Sequence, residues 1–291
     1  MKLKIATCQF PVDKDIKRNY GYITRQMQFA KKAQADVVHF SEVCLGGYSG
    51  VEFKTFRGYN WDLLRQCTLN IMELADKLKL WLILGSNHRL TGNHKPHNSL
   101  YVISDRGKII NRYDKMFCTG DSGETRDDLK HYASGSKFVV VTIKGIKCGL
   151  LICHDFRYPE LYREYKKLGV QLVFHSYHNG HVSTAKLKKE LNIWGVIVPP
   201  TMQAAAASNY LWISTNNTSR HECCYGSFVV RPDGIITGKL PRNKAGVLIS
   251  TIDTKTKYYD ASVDWRDRAM EKIFHSGRLV KDERSTDRTC F

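Results

Sequence analysis

A cysteine stands where an apolar stretch of this sequence ends and a polar turn begins. Residues 149–152 are typical of a buried strand, Cys153 follows them directly, and Pro159 marks the first turn of a predicted helix. A nucleophile on such a strand-to-helix turn is exposed at the sheet edge, where the following backbone N–H groups can stabilise an oxyanion. The nearby helix N-terminus also favours a thiolate. This segment alone leaves two interpretations open, a nucleophile and a small buried thiol at a strand end.

Two other segments place ionisable side chains at strand ends. Glu42 comes just after the short apolar stretch 37–40, where burying a carboxylate is costly unless it has a partner or a function. Lys115 ends the segment 111–115, which follows a predicted hairpin. Taken singly, the glutamate could cap a helix or pair with an arginine, and the lysine could be solvated.

In this order, the three segments resemble the nitrilase superfamily of carbon–nitrogen hydrolases, whose hallmark is a glutamate, a lysine and a cysteine on three separate strand ends. The resemblance extends over nearly the whole chain. Residues 5–9 are similar to the family's opening strand, and residues 153–160 to its Cys-x-Asp-x-Arg-x-Pro-Glu stretch. Residues 212–216 and 227–234 fit a later strand pair with its Pro-Asp-Gly turn, and residues 284–289 fit the closing segment.

The resemblance implies a role for each of these residues. Glu42, in a dry pocket, takes the proton of Cys153 and later activates water. Cys153 attacks the carbonyl carbon, expels ammonia or an amine and forms a thioester. Lys115 and the backbone N–H of His154 stabilise the oxyanion. The reaction requires neither a metal nor an organic cofactor.

The sequence departs from the family pattern in several places. Many members carry a second acid between the lysine and the cysteine, and Asp128 lies at the best-matching distance, with Glu124 as the alternative. Aspartate is shorter than the usual glutamate, which puts that role in doubt. The family commonly has His-Leu shortly after the lysine, and this chain has Phe117-Cys118 there. The side chain of His154 is expected either to touch substrate or to face solvent while its backbone works.

The residues after Cys153 also bear on the substrate. True nitrilases usually have Trp-Glu there, whereas residues 154–157 are closer to the amidase and carbamoylase branches. An amide or N-carbamoyl compound is therefore favoured over a nitrile. The His-rich segment 175–181 is expected at the same mouth of the fold, either as a polar pocket for a carboxylate or hydroxyls, or as a surface loop. The candidate substrate contacts are Tyr48, His154, His178, Asn179 and Trp194.

The order of predicted elements indicates the architecture that positions these residues. Helices are predicted over 15–35, 62–78 and 159–168, with another somewhere within 201–208, and short strands and hairpins lie between them. Two similar halves predict an α/β protein of the α+β four-layer kind, an αββα sandwich of two mixed β-sheets packed face to face with helices outside. Residues 1–291 are expected to form one domain. The polar segment 258–291 is predicted to be an arm that lies on a partner subunit, since the resemblance implies a homo-oligomer.

Composition limits the class of protein further. Hydrophobic residues make up 42% of the chain, which is ordinary for globular proteins, and no apolar run is long enough for a membrane span. The first residues do not resemble a signal peptide, and nine cysteines without one predict reduced thiols and a cytoplasmic location.

The net charge of +17 is the one unusual bulk property. Its lysines and arginines are dispersed, which is typical of a solvated surface, although an anionic substrate or surface partner would also account for it. The absence of an RNA-binding or zinc-finger signature argues against nucleic acid as a partner. A polyanion-binding protein and a catalytically silent scaffold remain the alternatives to an enzyme, and nitrile hydrolysis is the alternative reaction.

Overall fold

Two β-sheets of six strands each form the centre of the molecule, for which the computed structural model describes residues 1–120 and 127–289. The strands are β1 (Lys2–Gln9), β2 (Val37–Phe40), β3 (Trp81–His88), β4 (His97–Ile103), β5 (Ile109–Asp114), β6 (Val140–Ile143), β7 (Ile146–Ile152), β8 (Leu172–Ser176), β9 (Trp212–Asn216), β10 (Phe228–Val230), β11 (Ile236–Lys239) and β12 (Gly246–Asp253). The helices are α1 (Ile16–Lys32), α2 (Trp61–Leu78), α3 (Asp128–His131), α4 (Pro159–Lys167), α5 (Thr184–Lys189), α6 (Ile193–Asn209), α7 (Arg266–Met270) and α8 (Glu283–Thr286). In the described residues, no helix has the length and apolar character that crossing a membrane requires.

The two sheets have the same plan. The first has the order β12-β1-β2-β3-β4-β5 and the second the order β11-β10-β9-β8-β7-β6. In each sheet three central strands are parallel, β1-β2-β3 in the first and β7-β8-β9 in the second, and the outer strands are antiparallel. Because parallel strands end at the same sheet edge, each half of the chain brings several strand ends to one place. The predicted pair of mixed sheets is confirmed.

Alternate residues of the central strands face two different apolar layers. Ile5 and Val37 belong to the core between the two sheets, whereas their neighbours Ala6 and Val38 pack under the helices α1 and α2. This period of two is what a strand requires when both of its faces are covered. The helices α4 and α6 cover the outer face of the second sheet, which completes the αββα order.

A polar seam runs through the apolar core between the sheets. His39 on β2 is fully buried, and its two ring nitrogens lie 2.9 Å from the hydroxyls of Ser214 and Ser176 on the second sheet. Burial lowers the pKa of His39 to about 3, so its ring is neutral at physiological pH. These hydrogen bonds fix the register of one sheet against the other, and with it the distance between their strand ends.

The helix predicted within 201–208 is longer than the sequence suggested. It starts at Ile193 and includes Pro199 and Pro200. Pro199 is buried, and the hydroxyl of Thr201 donates to the carbonyl oxygen of Ile197 at 2.8 Å. The early start matters because it carries Trp194 to the site described below.

Candidate active site

Three strand ends bring Glu42, Lys115 and Cys153 together. Glu42 is the second residue after β2, Lys115 directly follows β5, and Cys153 directly follows β7. Lys115 and Cys153 line a cavity of about 430 Å³, and the fully buried Glu42 contacts Lys115 at 2.9 Å. The cavity is lined by Tyr48, Lys115, Thr119, Cys153, His154, Phe156, His178, Asn179, Val182, Lys186, Leu187, Glu190, Asn192, Ile193, Trp194 and Cys224.

Cys153 lies on a sharp turn whose geometry is held by a buried acid. Its φ angle is +41°, in the left-handed region that side chains other than glycine rarely adopt, and it begins a short 3₁₀ helix that ends at Arg157. The carboxylate of Asp155 accepts hydrogen bonds from the backbone N–H groups of Ile152 and Phe117, both at 2.9 Å, and from the hydroxyl of Tyr113 at 2.8 Å. Asp155 therefore joins this turn to β5, the strand that ends at the lysine.

The thiol of Cys153 is held in its neutral form. Burial raises its pKa well above the ordinary value, the charges of Glu42 and Asp128 raise it further, and Lys115 opposes them only in part. A neutral resting thiol is the state from which the expected proton transfer to Glu42 starts. A general base is required to make the nucleophile.

Glu42 has one engaged oxygen and one that is not. Its Oε1 accepts from the side-chain amide of Asn98 at 2.7 Å and from Nζ of Lys115 at 2.9 Å. Its Oε2 is buried and has no hydrogen-bond partner in the described residues. A buried carboxylate oxygen without a donor has a lone pair free to accept a proton, and the charge of Glu42 acts on the Cys153 thiol.

Lys115 is an ammonium group surrounded by oxygens. Its Nζ donates to Glu42, to the hydroxyl of Tyr48 at 3.3 Å and to Oδ2 of Asp128 at 2.7 Å, and its side chain is only 1% exposed. Burial by itself lowers the pKa of Lys115, but the two carboxylates outweigh burial and hold it well above its ordinary range. The lysine is therefore a fixed positive charge beside Cys153.

Asp128 reaches the lysine despite its short side chain. It is the first residue of α3, and its Oδ2 also accepts from the backbone N–H of Thr119 at 3.1 Å, while Oδ1 accepts from the hydroxyl of Tyr48 at 2.5 Å. The doubt about its reach is removed because α3 carries the backbone close enough. Glu124, the alternative acid, lies outside the described residues.

The five predicted substrate contacts lie at the same cavity. Tyr48, His154, His178, Asn179 and Trp194 all line the cavity. His154 is thus one of the residues at the cavity wall.

Of the three histidines in the segment 175–181, which was expected at this mouth, His178 lines the cavity and the other two do not. His175 and Tyr177 are fully buried and stacked on each other at 4.3 Å beneath the turn, and His175 contacts the carbonyl oxygen of Cys153 rather than the cavity. His181 is 44% exposed at its side chain. Strand alternation explains the result, since His175 is on β8 itself and points into the core, while His178 lies in the loop that follows.

Sequence reasoning missed three residues of this site. Asn98 on β4 holds Glu42, Asp155 holds the cysteine turn, and Glu52 holds His178 through a 2.9 Å contact. Only Asp155 left a signal, since it is the aspartate of the Cys-x-Asp stretch. Within residues 1–120 and 127–289, no group of three His, Cys, Asp or Glu side chains could hold a metal ion.

Comparison with known proteins agrees with this geometry. The carbon-nitrogen hydrolase family profile matches residues 4–258. A hydrolase in the agr operon of Staphylococcus aureus is 26% identical over 246 residues, which cover 82% of this chain and 87% of the relative. The chloroplastic omega-amidase of Arabidopsis thaliana is 24% identical over 263 residues, 87% of this chain and 68% of the relative. The deaminated glutathione amidase of Dictyostelium discoideum is 27% identical over 194 residues, 62% of this chain and 63% of the relative.

A solved structure shows the same fold. A cysteine-to-alanine mutant of the nitrilase-superfamily amidase from Nesterenkonia sp. AN1 superposes with a TM-score of 0.75 at 18% identity, covering 93% of this chain and 96% of that chain. The chain belongs to the carbon-nitrogen hydrolase family. It is a hydrolase of carbon–nitrogen bonds other than peptide bonds.

Proposed function

We propose that this enzyme hydrolyses a small amide or N-carbamoyl compound through a thioester on Cys153. The observation that carries the proposal is the half-buried thiol at the cavity beside a fixed ammonium group and a carboxylate with one unengaged oxygen. Cysteine, base and cation are the three parts that acyl transfer needs, and all three lie at one end of the sandwich.

The steps follow from the contacts. Oε2 of Glu42 takes the proton of the thiol as the sulfur attacks the carbonyl carbon of the substrate. The oxyanion is stabilised by Nζ of Lys115 and by the backbone N–H of His154, which follows the nucleophile. The protonated Glu42 gives its proton to the leaving amine or ammonia. It then deprotonates a water molecule that attacks the thioester, which releases the carboxylic acid and restores the thiol.

Asp128 serves this reaction through Lys115. Together with Glu42 it holds the lysine between two carboxylates, so that the ammonium group keeps its charge and its direction. Burial raises the pKa of Asp128, but Lys115 outweighs burial and brings that pKa below its ordinary value, so this acid stays ionised and does not compete for the Cys153 proton.

The cavity walls support an amide with an apolar portion. The lining includes the polar side chains of Asn179 and His178 and the apolar side chains of Val182, Leu187 and Trp194. Proteins of similar sequence or fold support amides over nitriles. Curated relatives are named omega-amidase and deaminated glutathione amidase, and the Nesterenkonia amidase has been solved with butyramide and with an acetamide moiety covalently attached to its active-site cysteine.

We also propose that the enzyme is a homo-oligomer in which the segment 258–289 lies on a neighbouring copy. Several large apolar side chains in this segment are exposed when one chain is considered alone. One exposed apolar residue is ordinary, whereas several within one segment are typical of an interface. They are Tyr259, Val263, Trp265, Phe274, Leu279 and Val280.

The thiols fit a reducing compartment such as the cytoplasm, since none of the eight described cysteines forms a disulfide.

Intact-protein mass spectrometry with a panel of primary amides, N-carbamoyl amino acids and nitriles tests the proposal. Wild type, Glu42→Gln and Cys153→Ala are compared, and released ammonia is assayed in parallel. We expect one compound class to leave an acyl adduct on Cys153 and to release ammonia only with wild type. Cys118→Ala is the matched control, because Cys118 is also half-buried and its sulfur lies 3.9 Å from the carbonyl oxygen of Lys115.

The same panel decides against the proposal in two ways. Turnover of nitriles alone would assign nitrile hydrolysis to the same three residues. If no compound is turned over and an alkylating probe does not prefer Cys153 to the other cysteines, a scaffold or polyanion-binding role would replace the proposed one.

A further inference from the structure

Asn98 is a buried amide that the reaction steps above do not use. It lies on β4 and is fully buried. Its Nδ2 donates to Oε1 of Glu42 at 2.7 Å, and the donor must be the nitrogen because an ionised carboxylate only accepts. In the described residues this is the one hydrogen bond that the Asn98 side chain forms, and its Oδ1 has no partner.

The unpartnered Oδ1 indicates that this amide is kept for its donor. Burying a polar atom without a hydrogen-bond partner costs free energy. A leucine has nearly the same shape and would fill the position without that cost. An asparagine at position 98 is therefore explained by what its Nδ2 does for Glu42 rather than by packing.

The main chain of Asn98 holds the other donor to the same carboxylate. Its backbone carbonyl oxygen accepts from the backbone N–H of Lys115 at 2.9 Å, and Nζ of Lys115 donates to Oε1 of Glu42 at 2.9 Å. Lys115 also donates to Tyr48 and Asp128. The hold of Lys115 on the carboxylate is therefore divided among three acceptors, and that of the Asn98 amide is not.

Two donors on one oxygen fix the rotation of the Glu42 carboxylate. The terminal torsion of a glutamate is soft, so a carboxylate held by a single donor can turn and exchange its two oxygens. With both donors on Oε1, Oε2 stays the oxygen without a donor. In the proposed reaction Oε2 takes the proton of Cys153 and later that of water. The oxygen that must remain open is the one that Asn98 leaves open.

We propose that Asn98 is a positioning residue for the general base: its side-chain amide holds Oε1 of Glu42, so that Oε2 is the oxygen presented for proton transfer. Asn98 acts through Glu42 and is not among the described residues that line the cavity. Its donor also stabilises the ionised carboxylate, which is the form that accepts a proton. The inference rests on the proposed function, in which Glu42 is the base.

Other charged and titratable groups face Glu42 and set its baseline. Lys115 contacts it, and Asp128 lies 2.7 Å from Nζ of that lysine. The charge of Glu42 raises the pKa of four further groups, which are Cys153, Tyr48, Tyr132 and Tyr225. In the described residues none of these groups bonds the side chain of Asn98, so a change at Asn98 reaches Glu42 directly.

The test replaces the amide by an apolar side chain of nearly the same size, in Asn98→Leu. The quantities measured are kcat and KM on the amide found by the panel, the pH dependence of kcat/KM, and the Tm. We expect kcat to fall about 10- to 100-fold with KM within about threefold of wild type, since a misdirected base slows the chemical step without weakening substrate binding. The acidic limb of kcat/KM reports the base of the free enzyme. We expect this limb to move up by about one pH unit, because a carboxylate that loses a donor holds its proton more tightly.

The pH profile separates positioning from a merely structural role. Loss of packing would lower the Tm without moving the acidic limb. Asn98→Leu removes a donor together with its unpartnered acceptor and should change the Tm by less than about 3 °C. The matched control is Asn209→Leu at the end of α6. Asn209 is also buried with an unpartnered Oδ1, and its Nδ2 donates to the carbonyl oxygen of Ala205 at 2.9 Å, so its replacement should move neither kcat nor the acidic limb.

An unmoved acidic limb in Asn98→Leu, or a kcat within about threefold of wild type, would overturn the proposal. If Asn98→Leu does not fold, Asn98→Ala removes the same donor and is judged by the position of the limb alone. Glu42→Gln keeps two failures apart. If Glu42→Gln retained turnover, Glu42 would not be the base, and the proposed function would fail together with this inference. If Glu42→Gln is inactive while Asn98→Leu behaves as wild type, only the positioning role fails.

Discussion

Replacing Asp128 by asparagine changes one atom at the centre of the site. The carboxylate presents Oδ2 to Lys115 and Thr119 and Oδ1 to the Tyr48 hydroxyl. Asparagine has a single oxygen, which must remain with Lys115 and the Thr119 N–H. Its NH₂ group then faces the hydroxyl of Tyr48, whose proton loses its acceptor. The substitution removes one charge and leaves one buried donor unsatisfied.

The contact distances set the scale of the effect. At 2.7 Å and an effective dielectric constant of about 20, the attraction between Asp128 and Lys115 is about 6 kcal/mol before desolvation is subtracted. Breaking a buried ion pair from one side typically costs about 3–5 kcal/mol. Since Glu42 still holds Lys115 at 2.9 Å, we expect a loss of stability near the lower end, about 3 kcal/mol. For turnover we expect a 10²- to 10³-fold fall in kcat, the range found when an oxyanion-stabilising group is removed.

Cysteine reactivity should change in the opposite direction. The charge of Asp128 raises the pKa of Cys153, so its removal lowers that pKa and makes alkylation of the thiol faster at a given pH. A variant with slower turnover and faster alkylation has kept its nucleophile but no longer holds the ammonium group of Lys115 in place. Denaturant unfolding, kcat on the amide and the pH profile of iodoacetamide alkylation measure the three effects.

Asp127→Asn is the control for this prediction. Asp127 is the neighbouring carboxylate, and it forms an ion pair at 3.1 Å with Lys130, whose side chain is 75% exposed. We expect nearly normal turnover and alkylation. A kcat of Asp128→Asn within about threefold of wild type, or slower alkylation, would refute the reasoning about Lys115.

Three further predictions follow from the same contacts. A Cβ atom at Gly85 would lie 2.0 Å from the carbonyl oxygen of Ser41, so Gly85→Ala should displace the turn that carries Glu42. We expect the free energy of unfolding, measured with denaturant, to fall by about 1–3 kcal/mol and kcat to fall with it. Unchanged values of both would contradict this. Trp194→Ala should raise KM for amides with apolar tails about tenfold and leave kcat nearly unchanged, and a loss in kcat alone would show that Trp194 does not bind the tail. The pKa of Glu52 is lowered from 4.5 to about 2, so this group stabilises the fold by about 3 kcal/mol above pH 4.5 and the contribution is lost as the pH falls toward 2. The unfolding free energies of wild type and Glu52→Gln should therefore converge over that window, and a constant difference would contradict the assignment.

Local patterns in the sequence were sufficient for the parts of the molecule that depend on neighbouring residues. The short runs of residues 149–152 before Cys153 and 37–40 before Glu42 are visible in the sequence as consecutive letters. Their order along the chain matched the carbon-nitrogen hydrolase family, and the family and the two-sheet fold are confirmed. Periodicity of 3.6 residues is a local property, which is why the helices α1, α2 and α4 were predicted close to their observed bounds.

Contacts between distant parts of the chain were decided only by the tertiary structure. Glu52 and His178 are 126 positions apart, and no periodicity relates them. His175 and His178 look alike in a His-rich segment, but one ends up on a strand that points into the core and the other in the loop beyond it. Whether Asp128 reaches Lys115 depended on where α3 begins, which side-chain length alone does not tell. The sequence thus determined which residue types stand at the strand ends, and the packing of one sheet on the other decided which of them touch.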